Sequence, residues 1–324
     1  MKDFAYLSSL GWRNANPIAA DDGRGPSMTR RFFPASEFEF TNGMKSITPQ
    51  IARWKYSGLS IIQLEANIPY LVDPSILESA EGALIPLNAT NLTINIDGGS
   101  FTLKGRRGVF DAATDWIYCA PGSRLEISSP GGGDIAIATA VAQARFSSCY
   151  VDILTSIEIR GAGDATREVR PFMHPDQFKN ADRLMAVELI TPDGNVSSYP
   201  PHRHDGMGDC HIANEEIYYF RIGKIGLPHG HPEGFGFHRT YAGSEYENPF
   251  DDNVAIHDGD IYLVPRGYHG PCSAMPGYPM YYLNVLAGEN SPRSMDFCDD
   301  PNHAWIRQSW NGQTPDTRVP WKVI

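Results

Sequence analysis

The sequence predicts an all-β chain of the sandwich or barrel type, and three observations carry that prediction. Short apolar runs recur at close spacing along most of the chain. Turn formers separate them, with 31 glycines and 25 prolines spread through the 324 residues rather than clustered. Several runs alternate apolar and polar residues with a period of two, as in Ala89-Thr-Asn-Leu-Thr-Ile-Asn-Ile-Asp97.

Residues 1–45 are polar and rich in turn formers, and are expected to form an N-terminal arm. Strands are expected at 58–66, 89–97 and 100–104. Residues 74–83 have the composition of one or two helical turns, with Asp73 or Ser75 as the cap. Residues 108–127 and 253–270 share a pattern: a strand, an acidic turn, a second strand containing Ile-Tyr, and a proline that opens a turn. Aligned on Pro121 and Pro265, Leu125 stands where the second copy has His269, which points to an internal duplication whose first half has lost a ligand. A run of Ala, Thr and Val at 136–144 leads to a glycine-bearing crossing at 156–167. The chain is therefore divided into the arm, an N-terminal domain at 46–160 and a C-terminal domain at 161–324. In the C-terminal domain, 172–182 reads as a loop or short helix. Strands are expected at 185–191, 195–204, 216–222, 234–241, 253–257, 260–264 and 280–286.

The formal net charge is −11 and no basic run is present, which argues against nucleic acid or an anionic membrane surface as a partner. No stretch approaches the roughly 18 apolar residues of a membrane span. Five cysteines without CxxC spacing do not read as a disulfide framework, so a reducing compartment is expected. The N-terminus lacks the basic and apolar regions of a signal peptide, so a cytoplasmic protein is expected.

Chemistry concentrates in the second half. His202 and His204 lie two residues apart in a predicted strand, so their side chains share a face and can converge on one ion. In the strand that follows, Glu215 and Glu216 point to opposite faces and only one can join them. His269, after the Pro265 turn, offers a third imidazole. Three imidazoles and one carboxylate suit a divalent transition ion with positions left open for water or substrate.

These segments resemble the two cupin motifs. The first motif places a glycine seven positions after its glutamate, a spacing that Glu216 and Gly223 satisfy and Glu215 does not. In the second, Gly259, Pro265 and Gly267 fit, while His269 comes one residue early. The wording is narrower than the motif. Ser197-Ser-Tyr-Pro-Pro-His-Arg-His-Asp205, Glu215-Glu-Ile-Tyr-Tyr-Phe-Arg-Ile222, Asp258-Gly-Asp-Ile-Tyr-Leu-Val-Pro-Arg-Gly-Tyr-His269 and Tyr281-Tyr-Leu-Asn-Val-Leu-Ala-Gly288 resemble the 5-deoxy-glucuronate isomerase family of myo-inositol catabolism. The likeness covers roughly residues 100–320.

That resemblance implies a bicupin, two β-barrel or jelly-roll domains in one chain, with a metal held by His202, His204, Glu216 and His269. Zinc is the first expectation for the ion, with manganese or iron as alternatives. It further implies an enzyme interconverting 5-deoxy-D-glucuronate and 2-deoxy-5-keto-D-gluconate, acting on a small sugar acid, and a homo-oligomer. An isomerase of a related uronate, a cupin dioxygenase and a sugar-binding bicupin without turnover are the alternatives. Tyr218, on the face of Glu216, and Tyr282 are the preferred pocket groups, ahead of Asp205 and Glu215. The substrate carboxylate calls for a guanidinium. Arg266 is preferred to Arg221, which falls on the face opposite Glu216.

Overall fold

The computed structural model describes residues 30–154 and 156–321, and most of the expected arm, up to residue 29, lies outside them. The first half contains β1 (Phe32–Phe33), β2 (Met44–Ile47), β3 (Ser57–Leu64), β4 (Tyr70–Leu71), β5 (Ala80–Pro86), β6 (Thr90–Ile96), β7 (Gly99–Gly105), β8 (Trp116–Cys119), β9 (Leu125–Ser128), β10 (Gly133–Val141) and β11 (Cys149–Val151). The second contains β12 (Glu158–Arg160), β13 (Arg167–Arg170), β14 (Met185–Thr191), β15 (Val196–Ser197), β16 (His202–Arg203), β17 (Asn214–Ile222), β18 (Phe235–Ala242), β19 (Phe250–His257), β20 (Ile261–Val264), β21 (Tyr268–Ala274), β22 (Met280–Gly288) and β23 (Cys298–Asp299). Among the described residues, α-helix is confined to α1 (Pro49–Ala52) and α2 (Ile306–Ser309). The expected helix after Asp73 is a single 3-10 turn, Pro74–Ile76, capped by the Asp73 carboxylate on Ser75 N at 2.9 Å; Ala80 onwards is strand.

The two halves repeat one topology. In the first, a six-stranded sheet ordered β11-β8-β5-β10-β3-β2 shares its core with a four-stranded sheet ordered β4-β9-β6-β7. In the second, β1-β20-β17-β22-β14-β13-β12 shares a core with β19-β18-β21-β16-β23, and β15 pairs with β21. Reading β13, β14, β16, β17, β18, β19, β20, β21 and β22 in place of β2 to β10 reproduces every pairing among those nine strands. β12, within the expected crossing at 156–167, belongs to the second half's sheet, and so does β1, within the expected arm.

Three apolar cores separate the four sheets. One fills the first half, one fills the second, and a third lies between the six- and seven-stranded sheets. Strand parity sorts the side chains among them. From β17, Ile217 and Tyr219 enter the core between halves, while Tyr218, Phe220 and Ile222 enter the second half's interior. β22 divides likewise, with Tyr281, Leu283 and Val285 on one side and Met280 and Tyr282 on the other.

Two carboxylates fasten the halves to each other. Glu81, fully buried on β5, accepts N–H bonds from Asp182 (2.9 Å), Arg183 (2.6 Å) and Leu184 (2.7 Å), the residues that lead into β14. Glu215, at the related place on β17, accepts from Lys55 (2.6 Å), Tyr56 (2.9 Å) and Ser57 (2.8 Å), which lead into β3. Each half thus supplies an acceptor for the strand start of the other. Glu215 is thereby occupied on the far side of the sheet from Glu216.

The cysteine expectation is corrected in part: Cys210 and Cys298, 88 residues apart, form a disulfide with a Cα separation of 5.8 Å. Cys119, Cys149 and Cys272 are free. Among the described residues no helix is long and apolar enough to cross a membrane.

Candidate functional site

The segment 195–204 is not one strand. The Tyr199-Pro200-Pro201 run interrupts it, because proline has no N–H for the ladder. His202 opens the two-residue β16 and His204 follows just beyond its end. Pairing of β16 with β21 sets His202 directly opposite His269, and pairing of β18 with β21 sets Thr240 on the other side. Glu216 arrives from the seven-stranded sheet, so the cluster bridges the two sheets of the second half. Gly270 makes the approach possible: its φ is +95°, and a Cβ there would lie 1.7 Å from the Ser198 carbonyl oxygen.

Inside the cluster, His204 Nε2 lies 3.0 Å and His269 Nε2 3.1 Å from Glu216 Oε2. The donor atoms of these three buried residues all fall within 4.8 Å of one another. His202 stands at the rim, half-buried, outside that compact group; its ring centroid is 4.3 Å from that of His269 and 4.6 Å from that of Phe297. Asn284 on β22 donates from Nδ2 to Glu216 Oε1 and fixes the carboxylate.

The hydrogen bonds decide what this arrangement can hold. His204 Nδ1 faces the Asn214 carbonyl at 3.0 Å and His202 Nδ1 the Pro200 carbonyl at 3.1 Å. A carbonyl only accepts, so both Nδ1 atoms donate and a neutral ring keeps its lone pair on Nε2. Both ring nitrogens of His269 are buried, and Nε2 faces the Glu216 carboxylate at 3.1 Å. Imidazole lone pairs aimed at one carboxylate oxygen repel unless a positive charge, a proton or a metal ion, lies among them. Nitrogen and oxygen donors of this number and spacing fit a divalent ion.

Burial lowers the basicity of His202, and the neighbouring His269 and His204 lower it further. Burial lowers His269 as well, against the pull of Glu216. At His204 burial is outweighed by the bond to Glu216, which raises it. Burial would raise Glu216, but His269 and His204 hold it well below the usual carboxylate range. His202 and His269 are therefore neutral at pH 7, the form in which imidazole binds metal.

His202, His204 and Glu216 line a cavity of about 240 Å³ together with Tyr218, Asn284, Ser198, Arg160, Arg167, His174 and the 295–297 segment, among others. Tyr218 reaches this cavity; Tyr282 is buried behind it. The two hydroxyls meet through Ser198 Oγ, 3.0 Å from each, and Tyr282 continues to Ser197 Oγ at 2.9 Å. Arg266 does not line the cavity: its guanidinium donates to the Asn248 carbonyl at 2.7 Å. Arg221 is held on the opposite face by Asp258 at 2.8 Å. Asp205 is used as an acceptor for Tyr246 OH (2.6 Å) and Gly267 N (2.7 Å). Sequence reasoning missed Arg167, Arg160, His174 and the role of Asn284.

The sequence profile of the KduI/IolB family matches residues 33–306. A 5-deoxy-glucuronate isomerase of Geobacillus kaustophilus is 30% identical over 286 residues, covering 87% of this chain and 97% of that protein. One from Lacticaseibacillus casei is 33% identical over 256 residues, covering 78% and 88%. Among solved structures, an IolB-like protein from Salmonella typhimurium superposes with a TM-score of 0.74 at 27% identity, covering 86% of this chain and 99% of that one. Oxalate decarboxylase of Bacillus subtilis superposes at 0.54 with 11% identity, covering 85% and 80%, a likeness of fold.

Proposed function

Because the chain belongs to the KduI/IolB family, we propose that it is a metal-dependent aldose-ketose isomerase that converts 5-deoxy-D-glucuronate to 2-deoxy-5-keto-D-gluconate in myo-inositol catabolism. The observation that carries the reading is the His204, Glu216 and His269 cluster, with His202 at its rim, of which His202, His204 and Glu216 line a cavity of sugar size. We assign these four residues as the ligands of one divalent ion, zinc by preference, with manganese or iron also suited to the set. Bound there, such an ion supplies Lewis acidity towards a carbonyl oxygen that gains negative charge during the reaction.

The chain's own groups divide the remaining work. Asn284 and the Asn214 and Pro200 carbonyls orient the ligand side chains. Burial and the nearby Glu216 charge push the Tyr218 phenol well above its ordinary value, so it stays protonated. Tyr218 is therefore suited to donate a hydrogen bond to a sugar oxygen rather than to abstract a proton. Tyr282 supports it through Ser198. Proton removal from carbon falls to His174 or Asp296, the other titratable groups of the cavity that are free of the cluster. The cytoplasm is the compartment we assign, and a homo-oligomer is part of the same reading.

An anaerobic proton NMR assay of the purified protein with 5-deoxy-D-glucuronate, alongside metal analysis, tests the proposal. Conversion without O₂ is the expected result. Metal-loaded protein that leaves the sugar unchanged would sink it.

A further inference from the structure

We infer that Arg167 is the anchor for the carboxylate of the sugar acid, a specificity-determining residue on the wall of the cavity that the His and Glu cluster also lines. The proposal rests on the isomerase reading for the identity of the sugar but not for the chemistry of its anionic group.

Arg167 opens β13, and Val169, two residues on, lies in the second half's core, so parity turns Arg167 to the same interior. It lines the same cavity as His202, His204 and Glu216. The side chain is 7% exposed, and among the described residues no carboxylate pairs with it. Nε is buried without a partner, and Nη1 donates to the Ala165 carbonyl at 3.2 Å. Val169, Val187 and Leu189 line the same cavity, as do Arg160 and Asp296, and the Trp310 ring centre is 5.9 Å from the guanidinium carbon. A buried guanidinium with no anion costs free energy that a fold does not retain without a use. Burial pulls its pKa down to about 10, and it remains charged at neutral pH.

The alternatives in reach are already committed. Arg160, also on the cavity wall, is neutralised by Glu158 at 2.6 Å and is about 40% exposed. Arg266 lies outside the cavity. The backbone also makes room for Arg167: at Gly161, φ +78°, a Cβ would stand 2.8 Å from Arg167 Nη1 and 2.0 Å from the Ala165 oxygen. Guanidinium presents a planar fork that matches a carboxylate with two parallel bonds, and here Nε is without a partner on a residue that lines the cavity. A sugar acid carries its reacting carbonyl and its carboxylate at opposite ends. The cavity presents on its walls both groups that such a molecule needs, the His and Glu cluster and Arg167.

Titration calorimetry of the intact protein with D-glucuronate and with its neutral counterpart D-glucose tests this without requiring turnover. Wild-type protein should bind glucuronate at least about 10-fold more tightly than glucose. Arg167→Met should weaken glucuronate by about 30-fold or more and leave glucose unchanged, with Arg167→Lys, which keeps the charge and loses the fork, in between. Equal wild-type affinity for the two sugars, or a folded R167M that holds glucuronate as wild type does, overturns the assignment. If circular dichroism shows R167M unfolded, R167K decides: unchanged glucuronate affinity there also overturns it. Protein that binds glucuronate through Arg167 yet does not convert 5-deoxy-D-glucuronate sinks the isomerase reading and leaves the anchor standing.

Discussion

Ile62, Leu92, Ile94, Leu125 and Ile127 fill the interior of the first half; the interior of the second, built by the same strand pairings, holds His204, Glu216, His238 and His269 among Tyr218 and Tyr282. All ten histidines of the chain lie in the second half, from His174 on. The difference teaches that pairing and interior chemistry are set by separate features. Pairing follows from which strands can be buried on both faces, and both halves satisfy that through the core they share. Once the sheets are fixed from that side, the other interior can carry buried polar groups, provided they are bonded to one another.

The strongest test copies one half into the other. His269→Leu places the first half's residue in the second, and should cut isomerase activity about a thousand-fold or more while metal content falls, with circular dichroism unchanged. Dialysis against a chelator should lower the thermal midpoint of wild-type protein and leave that of His269→Leu in place. Retained activity in the variant would mean that the two interiors do not differ in function as described.

Next in size is the fastening between halves. Glu81→Ala leaves three N–H groups at the start of β14 without their acceptor, and denaturant unfolding should show a loss of about 3 kcal/mol. Glu215→Ala, less deeply buried, should lose about 2 kcal/mol, with metal content intact in both. A large loss for one and none for the other would show that the likeness of the two contacts is geometric only.

Acid should separate the interiors more gently. His238 is fully buried, bonded to Cys272 and Thr240, and burial pushes its pKa from 6.5 down to about 3. The folded state keeps it neutral while the unfolded chain takes up a proton below 6.5, so this part of the stability is present above pH 6.5 and is lost as pH falls towards 3. Its contribution approaches 1.4 kcal/mol per pH unit within that window. The slope of stability against pH between 6 and 4 should be shallower by about one proton in His238→Phe. An identical slope would mean that the ring takes up its proton without unfolding. The smallest effect is expected from Arg266→Ala, whose guanidinium faces Asn248 outside the cavity: sugar-acid affinity should stay within about 2-fold.

Alternation made β6 legible, and β17 was legible from its Glu and aromatic run. It failed at β5 and at the Ala-rich β10, which are buried along nearly their whole length; a strand covered on both faces loses the period of two, and alanine carries little strand preference. The alignment of Leu125 with His269 was drawn from the turn proline that recurs in both copies, and the two residues fall in β9 and β21, which hold matching places in the two halves. At the site, His204, Glu216 and His269 could be found because they sit in short motifs with a known chemical purpose. Arg167 could not: it lies in Arg167-Glu-Val-Arg170, a charged run that is buried throughout, and no periodicity marks a buried charge. Arg266 was preferred for its nearness to His269 in sequence, yet three residues sufficed to carry it out of the cavity. Pairing of Cys210 with Cys298 across 88 residues has no sequence signature at all.

The exchange of acceptors between Glu81 and Glu215 bears on how this chain can be cut or inherited. A fragment ending near residue 155 would carry a buried carboxylate with nothing to receive, and the start of β3 would have lost its acceptor. The complementary fragment would have the same two defects in reverse. The half without the histidines is therefore not a spare part that deletion could remove. It is retained as the clasp of the half that has them.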